Sequence, residues 1–373
     1  MRSGMDFFQS CRSGEWFVQT DLAKMVERIR ENNMNDFSYD ILDLLKKYDY
    51  DGNAALAGEN CPQCLYAFSP LRENLFEWVE FEPDARILQI GSDYGSFTGI
   101  LAERAREVVV LDPRDENLEV NRIRHGARTN VIFVRGDLRD QVQWKKAEAA
   151  KLKTESEGNS AIGVAGRNAA LFKVYKPKYM DRSGGTSPTA EGDEGTGTAE
   201  KGKAENRAET AEKNVKDIMF RPFDYVVLGT FLSQCKKEEA ADLLREAADY
   251  LKPGGAMFAA VENETGVRYW MGAPKQENSY LESEFRDLFE KLTKIWGGNF
   301  TMYYPVPDYR YPVAVYSDHY LPETGDVTNI SKRYDGPGFW FGSEEEAMAK
   351  ACQNGMFTKF NNSFLGVWEK GTK

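Results

Sequence analysis

Histidine and cysteine are scarce in this chain, with two and five respectively among 373 residues. Cys11, Cys61, Cys64, Cys235 and Cys352 are too scattered for a disulfide framework, which suits a reducing compartment; the cytoplasm is the expected location. Cys61-Pro62-Gln63-Cys64 is a C-x-x-C, but a zinc site wants two more ligands at comparable spacing and no second pair follows. No metal is expected, and the pair reads as structural or incidental, with zinc or redox roles as the alternatives. No stretch approaches the roughly 18 consecutive apolar residues of a membrane span, and residues 1–20 lack the apolar core of a signal peptide. An excess of positive charge is missing too. A net charge of -11 argues against a broad basic surface for a phosphate backbone, so nucleic acid is not an expected partner.

What is present is ordinary globular material: 41% apolar and 29% charged residues, enough to bury a sizeable core. One region departs from it. Across 141–217 the chain turns to Ala, Glu, Lys, Gly, Thr and Ser, and around 183–198 it has almost no large apolar side chain to offset the entropy of ordering. This reads as a flexible, disordered insertion; a partner-binding or phosphorylated segment is the alternative.

On either side, short β-branched runs alternate with amphipathic helices. Strands are expected at 86–90, 107–112, 130–134, 223–228 and 256–261, and helices at 96–106, 115–125 and 237–251, the last stopped by Lys252-Pro253-Gly254-Gly255. Such βαβ units make an open, doubly wound α/β sheet with its ligand outside the carboxyl ends of the strands. A helix over 280–296, aromatic strands at 300–304 and 311–316, and a last strand at 363–369 complete the sheet as a terminal hairpin. The expected divisions are a helical cap over 1–80 (helices 21–30, 39–47 and 70–79), a first half-domain over 81–140, the insertion, and a second half-domain over 218–373 with a substrate-side lid near 263–300.

The first strand runs into Gly91-Ser92-Asp93-Tyr94-Gly95, whose glycines let a backbone approach a ligand at a helix start. The dinucleotide pattern G-x-G-x-x-G is absent: Asp93 stands at its second glycine, where an acid would repel a pyrophosphate, and no Gly-Lys-Ser/Thr follows for a phosphate loop. A nucleoside ligand without phosphates fits better. Asp112 ends the second strand about 20 residues beyond Gly91, where such folds hold a ribose; the plain alternative is a surface acid. Asp137 follows the third strand, placed for an adenine amino group or for capping the next helix.

Taken in order, Gln89-Ile90-Gly91-Ser92-Asp93-Tyr94-Gly95, Asp112, Gly136-Asp137, Phe223 to Leu228 and Leu251-Lys252-Pro253-Gly254-Gly255 resemble the successive motifs of class I S-adenosylmethionine (SAM) dependent methyltransferases. Tyr66 to Asn74, Glu262 to Gly272 and Tyr304 to Tyr309 resemble a bacterial subgroup encoded beside surface-polysaccharide glycosyltransferases. The resemblance implies a Rossmann-like, mostly parallel seven-stranded sheet with an antiparallel C-terminal strand. It implies SAM as cofactor, held by Gln89, Gly91, Ser92, Asp93, Tyr94, Gly95, Asp112, Pro113, Asp137, Leu138, Leu228 and Gly229. It also implies a small-molecule or glycan-precursor acceptor near Tyr66, Arg72, Tyr269 and Trp270, and association with a glycosyltransferase. The family has an acid at Gln89 and a glycine at Asp93, so Asp93 either supplies the missing charge or marks a weakened site. Methyl transfer is an in-line displacement that needs alignment first and a base only if the acceptor must lose a proton. Glu262 and Asn263 are the candidate catalytic residues, with structural anchoring as the alternative. The Asn-Pro-Pro-Tyr sequence of base-methylating enzymes is absent after Leu228, where Gly229-Thr230-Phe231-Leu232 stands, which favours an oxygen acceptor. A silent SAM-fold scaffold in a glycan-assembly complex is the competing expectation.

Overall fold

A computed structural model describes residues 40–59, 61–155, 167–175, 215–327 and 341–372. Among the described residues, four short α-helices precede the sheet: α1 (Ile41–Lys47), α2 (Gly52–Gly58), α3 (Pro62–Phe68) and α4 (Asn74–Glu77). Sequence periodicity anticipates α1 and the turn at α4, whereas α2 and α3 were not expected. Their stability comes from caps. The Asp51 carboxylate accepts Asn53 N–H (2.8 Å) and Ala54 N–H (3.1 Å), and Pro62 opens α3. Ile41, Leu44, Leu45, Cys64 and Phe68 then gather into a small apolar cluster that closes on Val120. The helix expected over 21–30 lies outside the described residues.

The strands follow the β-branched runs. β1 (Arg86–Ile90), β2 (Glu107–Asp112) and β3 (Val131–Arg135) are parallel, with α5 (Thr98–Arg104) and α6 (Asp115–His125) as crossovers. The chain continues into α7 (Leu138–Glu155) and a two-residue strand, β4 (Lys173–Val174), antiparallel to β3. It then returns to the middle of the sheet as β5 (Phe223–Gly229), paired in parallel with β1. After α8 (Lys237–Tyr250) come β6 (Leu251–Glu262), a single turn α9 (Val267–Trp270), α10 (Glu282–Trp296), β7 (Gly298–Val306) and β8 (Ala314–Ser317). Helices α11 (Glu344–Gln353) and α12 (Phe357–Phe360) lead to β9 (Ser363–Lys370), which inserts antiparallel between β6 and β7.

The strand order is β4-β3-β2-β1-β5-β6-β9-β7-β8. This is the doubly wound α/β sheet expected from the sequence, with nine strands in place of seven; β8 falls at the end of the stretch expected as a strand over 311–316, and β4 is an addition at the opposite edge. Alternation along the strands builds a core on each face. Leu88, Ile90, Val109, Met257 and Ala259 face α8 and α10, while Ile87, Val108, Val110, Phe258 and Ala260 face α4 and α5. Each such fully buried aliphatic or aromatic side chain contributes about 1.5–3 kcal/mol.

Two expected boundaries move. Gln141, placed at the start of the insertion, lies inside α7: it is buried, and its side-chain oxygen accepts Asn168 N–H at 3.1 Å. Helix α7 docks on α8 through ions, Lys145 to Glu246 (2.7 Å) and Asp249 (2.9 Å), so an apolar reading of composition misses it. Residues 156–166 and 176–214 of the insertion lie outside the described ones. Part of the stretch expected as a lid, 282–296, is helix α10. Phe285, Leu288, Phe289 and Leu292 of α10 are buried in the core, and an Asn263–Tyr280 bridge closes the base of the loop before it.

Candidate functional site

Outward from β1 the chain builds β2 and β3, then comes back to β5 on the opposite side. The strand order therefore reverses between β1 and β5, the place where open α/β sheets leave a crevice at their carboxyl ends. The loop leaving β1 occupies it. Gly91 (φ +85°), Asp93 (+49°), Tyr94 (+56°) and Gly95 (+81°) all adopt left-handed backbone. For Asp93 and Tyr94 that conformation is strained and must be held by the surroundings.

The holding groups are specific. Gln89, buried beneath the loop, donates to Gly91 O (3.1 Å) and Ser92 O (3.2 Å) and accepts from Thr98 Oγ1 (2.8 Å). Asn121 donates to Ser92 Oγ (3.0 Å) and Thr98 Oγ1 (2.7 Å), joining the loop to α6. His125 Nε2 sits 2.9 Å from Gly95 O, to which it donates. Burial, reinforced by Arg124, pulls its pKa down to about 4, so the ring is neutral near pH 7. Arg124 donates to Tyr94 O (2.6 Å) and Ala67 O (2.7 Å), tying the loop to α3.

Asp112 lies beside the loop with only 1% of its surface exposed. Its Oδ2 accepts Ser92 N–H (2.8 Å) and Asn117 Nδ2 (3.1 Å), and its Oδ1 accepts Arg114 N–H (2.8 Å). The Arg114 side chain covers Oδ1 at 3.8 Å and reaches Gln234 Oε1 at 3.2 Å, bridging from the end of β2 to the turn after β5 over the end of β1. Asp137 accepts Arg139 N–H (2.9 Å) in the first turn of α7 and pairs with the Arg139 guanidinium (2.6 Å), so its capping role has direct geometry. Leu138 and Leu228 are core residues, Gly229 (φ +48°) lies against Phe97, and Pro113 and Tyr94 stay half-exposed at the rim.

Asp93 and Arg72, expected on the cofactor and acceptor sides respectively, form one buried ion pair. The Arg72 guanidinium stacks 3.8 Å from the Tyr66 ring and donates to Tyr66 O at 2.9 Å. Burial opposes its charge, but Asp93 and Tyr66 outweigh that and hold its pKa above the ordinary value. Burial above all raises the pKa of the Tyr66 hydroxyl, keeping it protonated. Asp93 therefore carries its charge to Arg72.

A second cluster stands at the end of β6. Glu262 pairs with Arg310 and accepts the Tyr269 hydroxyl (2.9 Å), so both carboxylate oxygens are occupied. Burial pushes the Tyr269 hydroxyl upward, and Glu262 adds to the shift. Asn263 is a brace: it donates to Lys359 O (2.8 Å) and Asn361 O (2.6 Å) and accepts Thr265 N–H (3.0 Å). Trp270 points away, 65% exposed. Sequence reasoning missed Arg310, Tyr309, Tyr311 and Ser233. The Tyr309 hydroxyl reaches Ser233 Oγ at 3.4 Å, and Asp308 pairs with Arg268 while accepting Arg310 N–H (2.8 Å). A usable signal was there, an acid between proline and aromatics in Pro307-Asp308-Tyr309-Arg310-Tyr311. Burial raises the pKa of the Tyr311 hydroxyl and the positive charge of Arg72 opposes that rise, so the two clusters adjoin.

No protein-family model matches the sequence, and no curated protein matches it. Solved structures with partial likeness include a Haemonchus contortus phosphoethanolamine N-methyltransferase 1 bound to phosphoethanolamine and S-adenosylhomocysteine (13% identity, TM-score 0.39, 89% of this chain). This chain spans about half of that protein, 48% of its length. A SAM dependent methyltransferase from Archaeoglobus fulgidus shows 12% identity and a TM-score of 0.40 over 82% of this chain and 96% of its own. The N-methyltransferase NodS of Bradyrhizobium japonicum, in complex with S-adenosylhomocysteine, shows 11% and 0.39 over 86% and 98%. These scores are low, and the case for a function rests on the geometry of the crevice.

Proposed function

We propose that the crevice between the carboxyl ends of β1, β2 and β5 binds SAM and that the protein is a cytoplasmic methyltransferase. The observation that carries this is the left-handed loop Gly91–Gly95 at the reversal of strand order, with Asp112 beside it. Glycine at both ends permits close approach of a ligand. The loop lacks the G-x-G-x-x-G pattern that lets backbone meet a pyrophosphate, which leaves a nucleoside without phosphates as the better fit. Asp112 Oδ1 carries one backbone hydrogen bond and keeps capacity for a ribose hydroxyl once the exposed Arg114 side chain swings off it.

When bound, SAM supplies an electrophilic methyl group on a sulfonium. The chain's own residues align the partners: loop backbone and Asp112 on one side, and protonated hydroxyls of Tyr66, Tyr269 and Tyr309 on the other, each raised in pKa chiefly by burial. Glu262, occupied by Arg310 and Tyr269, orients the Tyr269 hydroxyl. The ordered motif resemblance supports an oxygen of a small molecule or glycan precursor as acceptor, with a glycosyltransferase as associate.

One observation favours a second reading, a catalytically silent scaffold: Gln89, Asp93 and Asp112 all spend their polar atoms on the protein itself. Calorimetric titration with SAM and S-adenosylhomocysteine (SAH) decides the first step. Saturation at about 100 times Kd stabilises the fold by roughly 2.7 kcal/mol. That shift, lost in Asp112→Ala, supports the pocket, and an acceptor screen beginning with nucleotide sugars follows. A folded protein that binds neither compound refutes the methyltransferase reading.

A further inference from the structure

Helix α3 begins at the cysteine pair that the proposed methyl transfer does not use. Cys61 is its N-cap, and the Cys61 sulfur accepts Cys64 N–H at 3.2 Å. The pair shares the first turn of one helix, Cys61 at its cap and Cys64 three residues on. Both are free thiols. They differ in access: Cys64 is fully buried among Leu45, Ala67 and Phe68, whereas Cys61 keeps an exposed edge of 7%.

We propose that Cys61 and Cys64 form a reversible dithiol–disulfide site that exchanges with a low-molecular-weight disulfide of the glutathione type. Cys61 is the attacking residue because it is the less buried of the pair, and Cys64 resolves. Burial, with Cys61 adding to it, pushes the Cys64 thiol to about 12, so it gives up its proton only as the second bond forms. The Cys61 thiolate attacks one sulfur of the small disulfide, forms a mixed disulfide and expels a thiolate that takes a proton. Cys64 then loses its proton, attacks the Cys61 sulfur and expels the second thiolate. Two protein thiols are oxidised, and one small disulfide is reduced to two thiols. Little backbone movement is needed, since the Cys61 sulfur keeps its Cys64 N–H partner in either state. The new bond closes the first turn of the helix whose last residues hand carbonyls to Arg72 and Arg124.

The test uses the full chain, equilibrated in buffers running from reduced to oxidised glutathione, quenched in acid, alkylated and mapped by peptide mass spectrometry. The expected result is a single transition in which the Cys61–Cys64 peptide loses both alkyl groups and is found two hydrogens lighter than its free dithiol, reversed by dithiothreitol, while Cys235 and Cys352 stay alkylated. In Cys64→Ser, Cys61 accumulates as a glutathione adduct; in Cys61→Ser, Cys64 stays a thiol. The proposal is overturned if both thiols remain alkylatable in fully oxidised buffer, if either pairs with another cysteine, or if both variants take up glutathione equally. None of these outcomes depends on SAM binding.

Discussion

At the carboxyl end of β2, Asp112 is held by two backbone N–H groups and an amide, whereas at the end of β6 Glu262 is held by a guanidinium and a tyrosine hydroxyl. The partners of Asp112 lie 2, 5 and 20 residues away along the chain. Arg310 lies 48 residues from Glu262, and Asp308 lies 40 from Arg268. The first arrangement shapes a loop with neutral donors that can be shared with a ligand. The second buries opposite charges whose desolvation is offset only while both partners are present. One end of the sheet is built to adjust, the other to stay put.

The largest effect should come from breaking the rigid end. Asp308→Ala removes the buried carboxylate that pairs with Arg268 and accepts Arg310 N–H, and we expect about 3–5 kcal/mol lost in denaturant unfolding. A loss under 1 kcal/mol would erase the contrast between the two ends. Gly95→Ala attacks the adjustable end, since its new Cβ would stand 2.8 Å from Asn121 Oδ1 at φ +81°. A cost of about 1–3 kcal/mol is expected, together with loss of SAH binding.

Acid should sharpen the comparison through His125. Its folded pKa of about 4 lies below its ordinary 6.5, so between those values the unfolded chain binds a proton that the folded chain refuses. Stability is full above pH 6.5 and falls as pH drops toward 4, by on the order of 3 kcal/mol. Comparing the pH dependence of wild type with that of His125→Gln isolates this contribution, and parallel curves would count against it. The smallest effect belongs to Arg114→Ala, which removes an exposed contact. Stability should change by less than about 0.5 kcal/mol, while SAH binding is kept or tightened because Asp112 Oδ1 is uncovered. Weaker binding would make Arg114 a ligand contact rather than a cover.

These differences also explain what could be read in advance. Strand β2 and helix α6 fall on their expected residues because their pattern is local, and the glycines of the loop announce its left-handed backbone. Asp112 and Glu262 were identifiable as positions, but their partners were not. A carboxylate shows its charge in the sequence, whereas Asn117 or Arg310 becomes its neighbour only through folding. Asp137 and Asn263 became a cap and a brace for the same reason. Helix α7 was hidden because it docks by lysines, and α2 because its glycines depend on the Asp51 cap.

The most direct test of the central claim is a crystal structure of the protein with SAH. The account predicts SAH along the Gly91–Gly95 loop, a ribose hydroxyl on Asp112 and the Arg114 side chain displaced from Gln234. Saturating SAH with an empty crevice and the Arg114–Gln234 contact intact, or SAH bound elsewhere, would contradict it.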